Sequence, residues 1–179
     1  TITAAGPFCQ TDPSVNLTAV DPGGTWSGTG ITNASTGTFD PATAGPGTHT
    51  ITYDIPGACG DTDTEDVIVS AQMDATITPV GPFCEQDPAL NLTSVDPGVW
   101  SGTGITDPAL ATFNPAVAGP GTHTITCDIA GACGDTQTTT ITVNQNMDAT
   151  ITPVGPYCIG EPVVTLAAVD GGGTWTGTG

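Results

Sequence analysis

The sequence predicts an all-β chain built from tandem copies of one small sandwich, on the evidence of an internal repeat, a turn-rich composition and short alternating runs. GPFC at Gly6 to Cys9 and Gly81 to Cys84 returns as GPYC at Gly155 to Cys158, and WSGTGIT begins at Trp26 and again at Trp100. A third copy of that motif opens as WTGTG at Trp175. AGPGTHTIT occurs at Ala44 and Ala118, and GACGDT at Gly57 and Gly131. The period is 74 to 75 residues, one residue being lost where PGGTW in the first copy becomes PGVW in the second. A fixed period of this kind is the signature of a stacked array. The 179 residues include 25 Gly and 16 Pro and are rich in Thr. Thr suits half-buried strands, while Gly and Pro punctuate turns.

Residues 1–73 make one complete copy, 74–147 a second, and 148–179 a third that is incomplete. In the first copy, strands are expected near Ile2 to Ala4, Val15 to Val20, Thr25 to Ser27, Thr36 to Phe39, Thr48 to Ile55 and Glu65 to Ser70. The intervening turns hold DPGG, FDPATAGPG and PGACGD. Alternation is clearest in the fifth run, where His49, Ile51, Tyr53 and Ile55 share one face and Thr50 and Thr52 the other. Six or seven such strands in one copy fit a small immunoglobulin-like sandwich. The junctions SAQMDATI and NQNMDATI contain no Gly or Pro, so consecutive sandwiches are expected to follow one another stiffly as an elongated rod. A piece as short as 148–179 falls below the roughly 40 residues that usually fold alone. Trp175 and its neighbours therefore need further sequence, an adjoining copy or another chain to complete a core, as in an excerpt of a longer repetitive protein.

Charge excludes several functions. The chain has no Lys or Arg and 18 Asp plus Glu, a formal charge of -18. Nucleic-acid binding needs cations against phosphate, so no nucleic-acid partner is expected, nor an anionic membrane or phosphate substrate. No apolar run approaches the roughly 18 residues of a membrane helix, and no membrane insertion is expected.

Six cysteines in such a chain indicate an oxidising compartment. Equivalent spacing suggests the pairs Cys9 with Cys59 and Cys84 with Cys133, each closing a loop worth about 4 kcal/mol in the chain-entropy view. Cys127, standing where the first copy has Tyr53, is expected as a buried free thiol, with an interchain bond or a bond to Cys158 as the alternatives; Cys158 is expected to be unpaired or intermolecular here, losing its partner only because the excerpt stops before it. Trp26, Trp100 and Trp175 are expected as core aromatics, with sugar stacking on an exposed face as the rival role. His49 and His123 read as packing residues. Asp61, Asp63, Glu65 and Asp66 form an acidic run that the second copy does not keep beyond its first acid. Asp74 and Asp148, repeated at the junctions, are candidates for a cation such as calcium between repeats; no resident cofactor or other metal is expected. Asn16, Asn33 and Asn91 stand in N-x-S/T sequons and are candidate glycosylation sites. No catalytic constellation recurs, and no enzyme is expected.

The succession C…L-T…GGTWSGTGIT…FDP…AGPGTHTIT…C-G-D-T…I-V resembles the Ig-like or PKD-like repeats strung along large secreted surface adhesins and filament proteins of Bacteroidota type. That resemblance covers the whole chain. It implies export to the extracellular cell surface, adhesive or structural work, and no enzymatic activity in the repeat. The expected function is a structural repeat in the shaft of an adhesin or filament, partnered by copies of itself or adjoining repeats. One variant has chains joining end to end, one subunit completing another's sandwich by strand addition. The alternative is a carbohydrate-binding module whose exposed Trp face grips surface glycans.

Overall fold

The computed structural model describes residues 1–178 and is nearly all β. In the first repeat the strands are β1 (Phe8–Cys9), β2 (Val15–Asn16), β3 (Thr25–Ser27), β4 (Ile31–Asn33), β5 (Thr38–Phe39), β6 (Gly47–Ile55) and β7 (Asp61–Ser70). A single helical turn, α1 (Pro41–Ala44), precedes β6. The second repeat restates the plan with β8 (Phe83–Cys84), β9 (Leu90–Asn91), β10 (Val99–Gly102), β11 (Ile105–Asp107), β12 (Thr112–Phe113), α2 (Pro115–Ala118), β13 (Gly121–Ile129) and β14 (Asp135–Asn144).

Each repeat packs a four-stranded sheet against a three-stranded one, in the orders β1-β7-β6-β3 and β2-β5-β4, then β10-β13-β14-β8 and β11-β12-β9. The long hairpin β6–β7 pairs Gly47 with Val69 at one end and Ile55 with Asp61 at the other. Its inward positions are Ile51 and Tyr53 on β6, and Val67 and Val69 on β7. Ile68, between the two valines, is 52% exposed, as the two-residue period of a strand requires. Leu17, Trp26 and Phe39 close the first core, and Leu92, Trp100 and Phe113 the second.

Several expected elements are redrawn. Only an isolated bridge, Ile2 with Ala19, stands where a first strand was expected. The run Val15 to Val20 shortens to two residues, and β1 and β4 are additional. Within the expected turn FDPATAGPG, Pro41 opens a helix whose first turn is capped by Asp40, its Oδ1 accepting from the Ala42 amide at 3.1 Å. Pro at the first helical position loses no hydrogen bond and already has a helical φ.

The third copy contributes no strand among the described residues, only the bridge between Ile151 and Ala168. It nevertheless repeats the opening of the second copy: the Asp170 amide donates to the Asp148 carbonyl, as Asp96 does to Asp74.

Candidate functional site

The most developed polar and covalent constellation lies between the first two repeats. β1 runs parallel to the end of β7, placing Cys9 beside Ser70. The Gln10 amide donates to the Ser70 carbonyl at 2.9 Å, and the Cys9 amide donates to Asp12 Oδ2 at 2.8 Å. This fixes the strand end of the first sandwich. Against it sits the β13–β14 turn of the second, and Cys9 is bonded there to Cys133, with Cα atoms 5.4 Å apart.

The connecting segment closes the joint. Gln72 Nε2 donates to the carbonyls of Cys133 and Gly134 at 3.3 and 3.1 Å, while its Oε1 accepts from the Thr11 hydroxyl at 2.9 Å. The Met73 amide donates to the Cys133 carbonyl at 3.0 Å, and the Ala75 amide to Asp135 Oδ2 at 3.0 Å. The first repeat, the connector and the second repeat are thus held by one covalent bond and a set of hydrogen bonds.

This overturns the expected pairings Cys9 with Cys59 and Cys84 with Cys133. Cys9 lies at the Ser70 end of β7, whereas Cys59 lies in the turn before Asp61. The 10 residues of β7 at about 3.3 Å each put those ends about 30 Å apart. A disulfide needs Cα atoms within about 7 Å, so neither repeat can close its own pair. The two cysteines of a repeat occupy opposite ends of its sandwich, not one end. Cys59, Cys84 and Cys158 are exposed free thiols, and Cys127 is a buried one, its Sγ 3.6 Å from Ser94 Oγ.

The tryptophans divide. Trp26 and Trp100 are 5% and 3% exposed, within the two cores, so neither offers a face for a sugar ring. Trp175, expected as core, is 50% exposed. Trp26 packs on Tyr53 of β6 with ring centroids 4.5 Å apart, and no counterpart of that strand stands among the described residues of the third copy. Instead, Trp175, Ile151, Leu166 and Ala168 line an open cleft of about 480 Å³.

The junction acids are engaged locally. Asp74 Oδ1 accepts from the Thr76 amide and Asp148 Oδ1 from the Thr150 amide, each at 2.8 Å. Hydrogen bonds from those threonines, the side chain first and the amide second, hold both carboxyls below the ordinary Asp value. Asp63 is lowered chiefly by the Ile2 amide, which donates to it at 2.6 Å. Among the described residues no three His, Cys, Asp or Glu side chains gather as metal ligands. His49 and His123 each place Nε2 2.8 Å from the carbonyl closing the short helix before them, Gly45 and Gly119. The sequon residues are exposed; Asn16 and Asn91 accept from Thr38 and Thr112 hydroxyls across their sheets, and Asn33 accepts from the Ser35 and Thr36 amides.

Asp12, Gln72 and Asp135 were not singled out from the sequence. Asp12 recurs as Asp87 before Pro, and Asp135 is the one acid of its run kept in both copies, so repetition marked these two. Gln72 becomes Asn146 in the next junction and carried no such signal.

Among the described residues no helix is long and apolar enough to cross a membrane. Neither protein-family models nor curated proteins yield a match to the chain.

Proposed function

We propose that the chain is an extracellular structural repeat of the kind that builds the shaft of a surface adhesin or filament. The observation that carries this reading is the joint: successive sandwiches share a disulfide and a hydrogen-bonded connector. A connector meant to let domains wander is usually rich in Gly and Ser and unattached; this one is short and tied to both sides. The reading sets such joints in series along a chain, as an elongated rod of beads. The disulfide suits an oxidising, extracellular setting, and the charge of -18 keeps neighbouring rods apart.

The reading assigns no catalysis to the repeat. It also disfavours a glycan-gripping module, because the aromatic common to both complete copies is enclosed. Electron microscopy of the native material is the test. Extended particles with a regular bead spacing are expected, and isolated globules would refute the proposal.

A further inference from the structure

The fold treats the three N-x-S/T sequons, at Asn16, Asn33 and Asn91, differently. Attachment of an N-linked glycan needs the asparagine amide and the hydroxyl two residues on, presented together at the surface. The middle residues of two sequons, Leu17 and Leu92, are 5% and 4% exposed and belong to the two cores. Their amides donate to the Gly37 and Ala111 carbonyls at 2.9 and 3.0 Å. The side-chain oxygens of Asn16 and Asn91 accept from Thr38 on β5 and Thr112 on β12. An enzyme could grasp either tripeptide only by drawing a core leucine out of its sandwich.

Asn33 ends β4 and opens the turn to β5, and Asn33, Ala34 and Ser35 are all exposed. The Ser35 hydroxyl donates to Asn33 Oδ1 at 2.8 Å, and the Ser35 and Thr36 amides donate to the same oxygen at 3.0 and 3.3 Å. All three bonds fall on Oδ1, so none of them engages Nδ2. The second repeat shows what the turn itself requires. Asp107 takes the place of Asn33, and its Oδ1 accepts from the Ala109 and Leu110 amides, both at 3.0 Å. β11 and β12 pair across that turn as β4 and β5 do, with the same register shift. A carboxylate oxygen therefore closes the turn as well as an amide, and Ala109 stands where Ser35 does. The amide nitrogen and the hydroxyl of the first repeat are surplus to the turn's construction.

We propose that Asn33 is an acceptor of an N-linked glycan, delivered from a sugar carried on a polyprenyl diphosphate. The inference goes beyond the structural reading and draws on it only in requiring an exported chain. In the transfer, Asn33 Nδ2 attacks the anomeric carbon of the sugar. The N–C bond forms, the bond from that carbon to the phosphate oxygen breaks, and the lipid diphosphate leaves with the electron pair. One amide proton passes to a base of the transferase. The three donors on Oδ1 favour negative charge there as Nδ2 gives up that proton.

The test is mass spectrometry of the chain from its native source. Mild acid splits Asp–Pro bonds, and cleavage at Asp21–Pro22 and Asp40–Pro41 isolates residues 22–40, whose one sequon is that of Asn33. This peptide is expected to carry added sugar mass that an amidase specific for N-linked glycans removes, converting Asn33 to Asp. Expressed in the same host, Ser35→Ala should lose the glycan and Ser35→Thr should keep it. Asn33→Asp should also lose it while preserving the turn, as Asp107 does. A bare Asn33, sugar at Asn16 or Asn91 in its stead, added mass that resists the amidase, or a glycan retained in Ser35→Ala would each overturn the proposal. Extended particles with a bare Asn33 would refute the glycan and leave the structural reading standing. A glycan at Asn33 on isolated globules would do the reverse.

Discussion

Gly37 and Ala111 show how closely the two repeats follow one backbone. Both occupy the left-handed region, with φ of 66° and 57°, and both lie in the turn beneath the core tryptophan. A Cβ at Gly37 would fall 2.8 Å from the Trp26 indole. Gly37→Ala should therefore cost about 1–2 kcal/mol, from a strained φ and a displaced ring, read as a lower urea midpoint. Tyr53 and Cys127 are a second matched difference. The Tyr53 hydroxyl donates to the Asp21 carbonyl and accepts from the Gly24 amide, both at 2.8 Å, spanning the longer PGGTW loop. Cys127 faces the loop that is one residue shorter, and Gly98 leaves room for its sulfur. The acids make a pH prediction. Because folding lowers the Asp74 pKa, its contribution is present above the unfolded value of about 3.9 and is lost as pH falls through the folded one. Wild type should exceed Asp74→Ala in thermal midpoint at pH 7, and the gap should close on acidification below about pH 4. A gap that widened on acidification would contradict the sign.

The β6–β7 hairpin is where pattern and structure agree most fully. Ile51 is 0% exposed and Ile68 52%. Ile51→Ala should cost about 2–5 kcal/mol, and Ile68→Ala should stay within about 0.5 kcal/mol, both measured by urea unfolding. Equal costs would mean that the inward and outward faces are misassigned. The β6 alternation was legible because apolar and polar residues change places at every step. The start of β7 was not, since Asp61 to Thr64 are polar on both faces and owe their extension to backbone pairing with β6. β1 is two residues long and its pairing with β7 is parallel, which no local pattern encodes. That hidden pairing is also why the cysteine partners were misread. Repetition identified equivalent cysteines, but the end of the sandwich each one occupies depends on which strand lies beside it.

Two enclosed cores and one open copy give the chain an uneven response to solvent. Acrylamide should quench one tryptophan of the three strongly, and Trp175→Phe should remove that accessible component while leaving the shielded emission of Trp26 and Trp100. Three equally shielded tryptophans would mean that the 480 Å³ cleft is filled in solution. The division into repeats was written in the period, and the contents of each core in the recurrence of Trp, Phe and the alternating isoleucines. What unites the repeats was not written there, because Cys133, Gln72 and Asp135 act on residues of a different segment and meet them only once both sandwiches are in place.

The Cys9–Cys133 bond also turns most of two repeats into a covalent ring, since 124 residues separate its ends. A pull applied to the two termini travels through the sulfur atoms and bypasses everything between them. At about 3.5 Å per residue, on the order of 400 Å of contour length is withheld from extension. In single-molecule stretching, that length should emerge only after a reductant is added, so the chain would lengthen under load in a reducing medium and hold its span in an oxidising one.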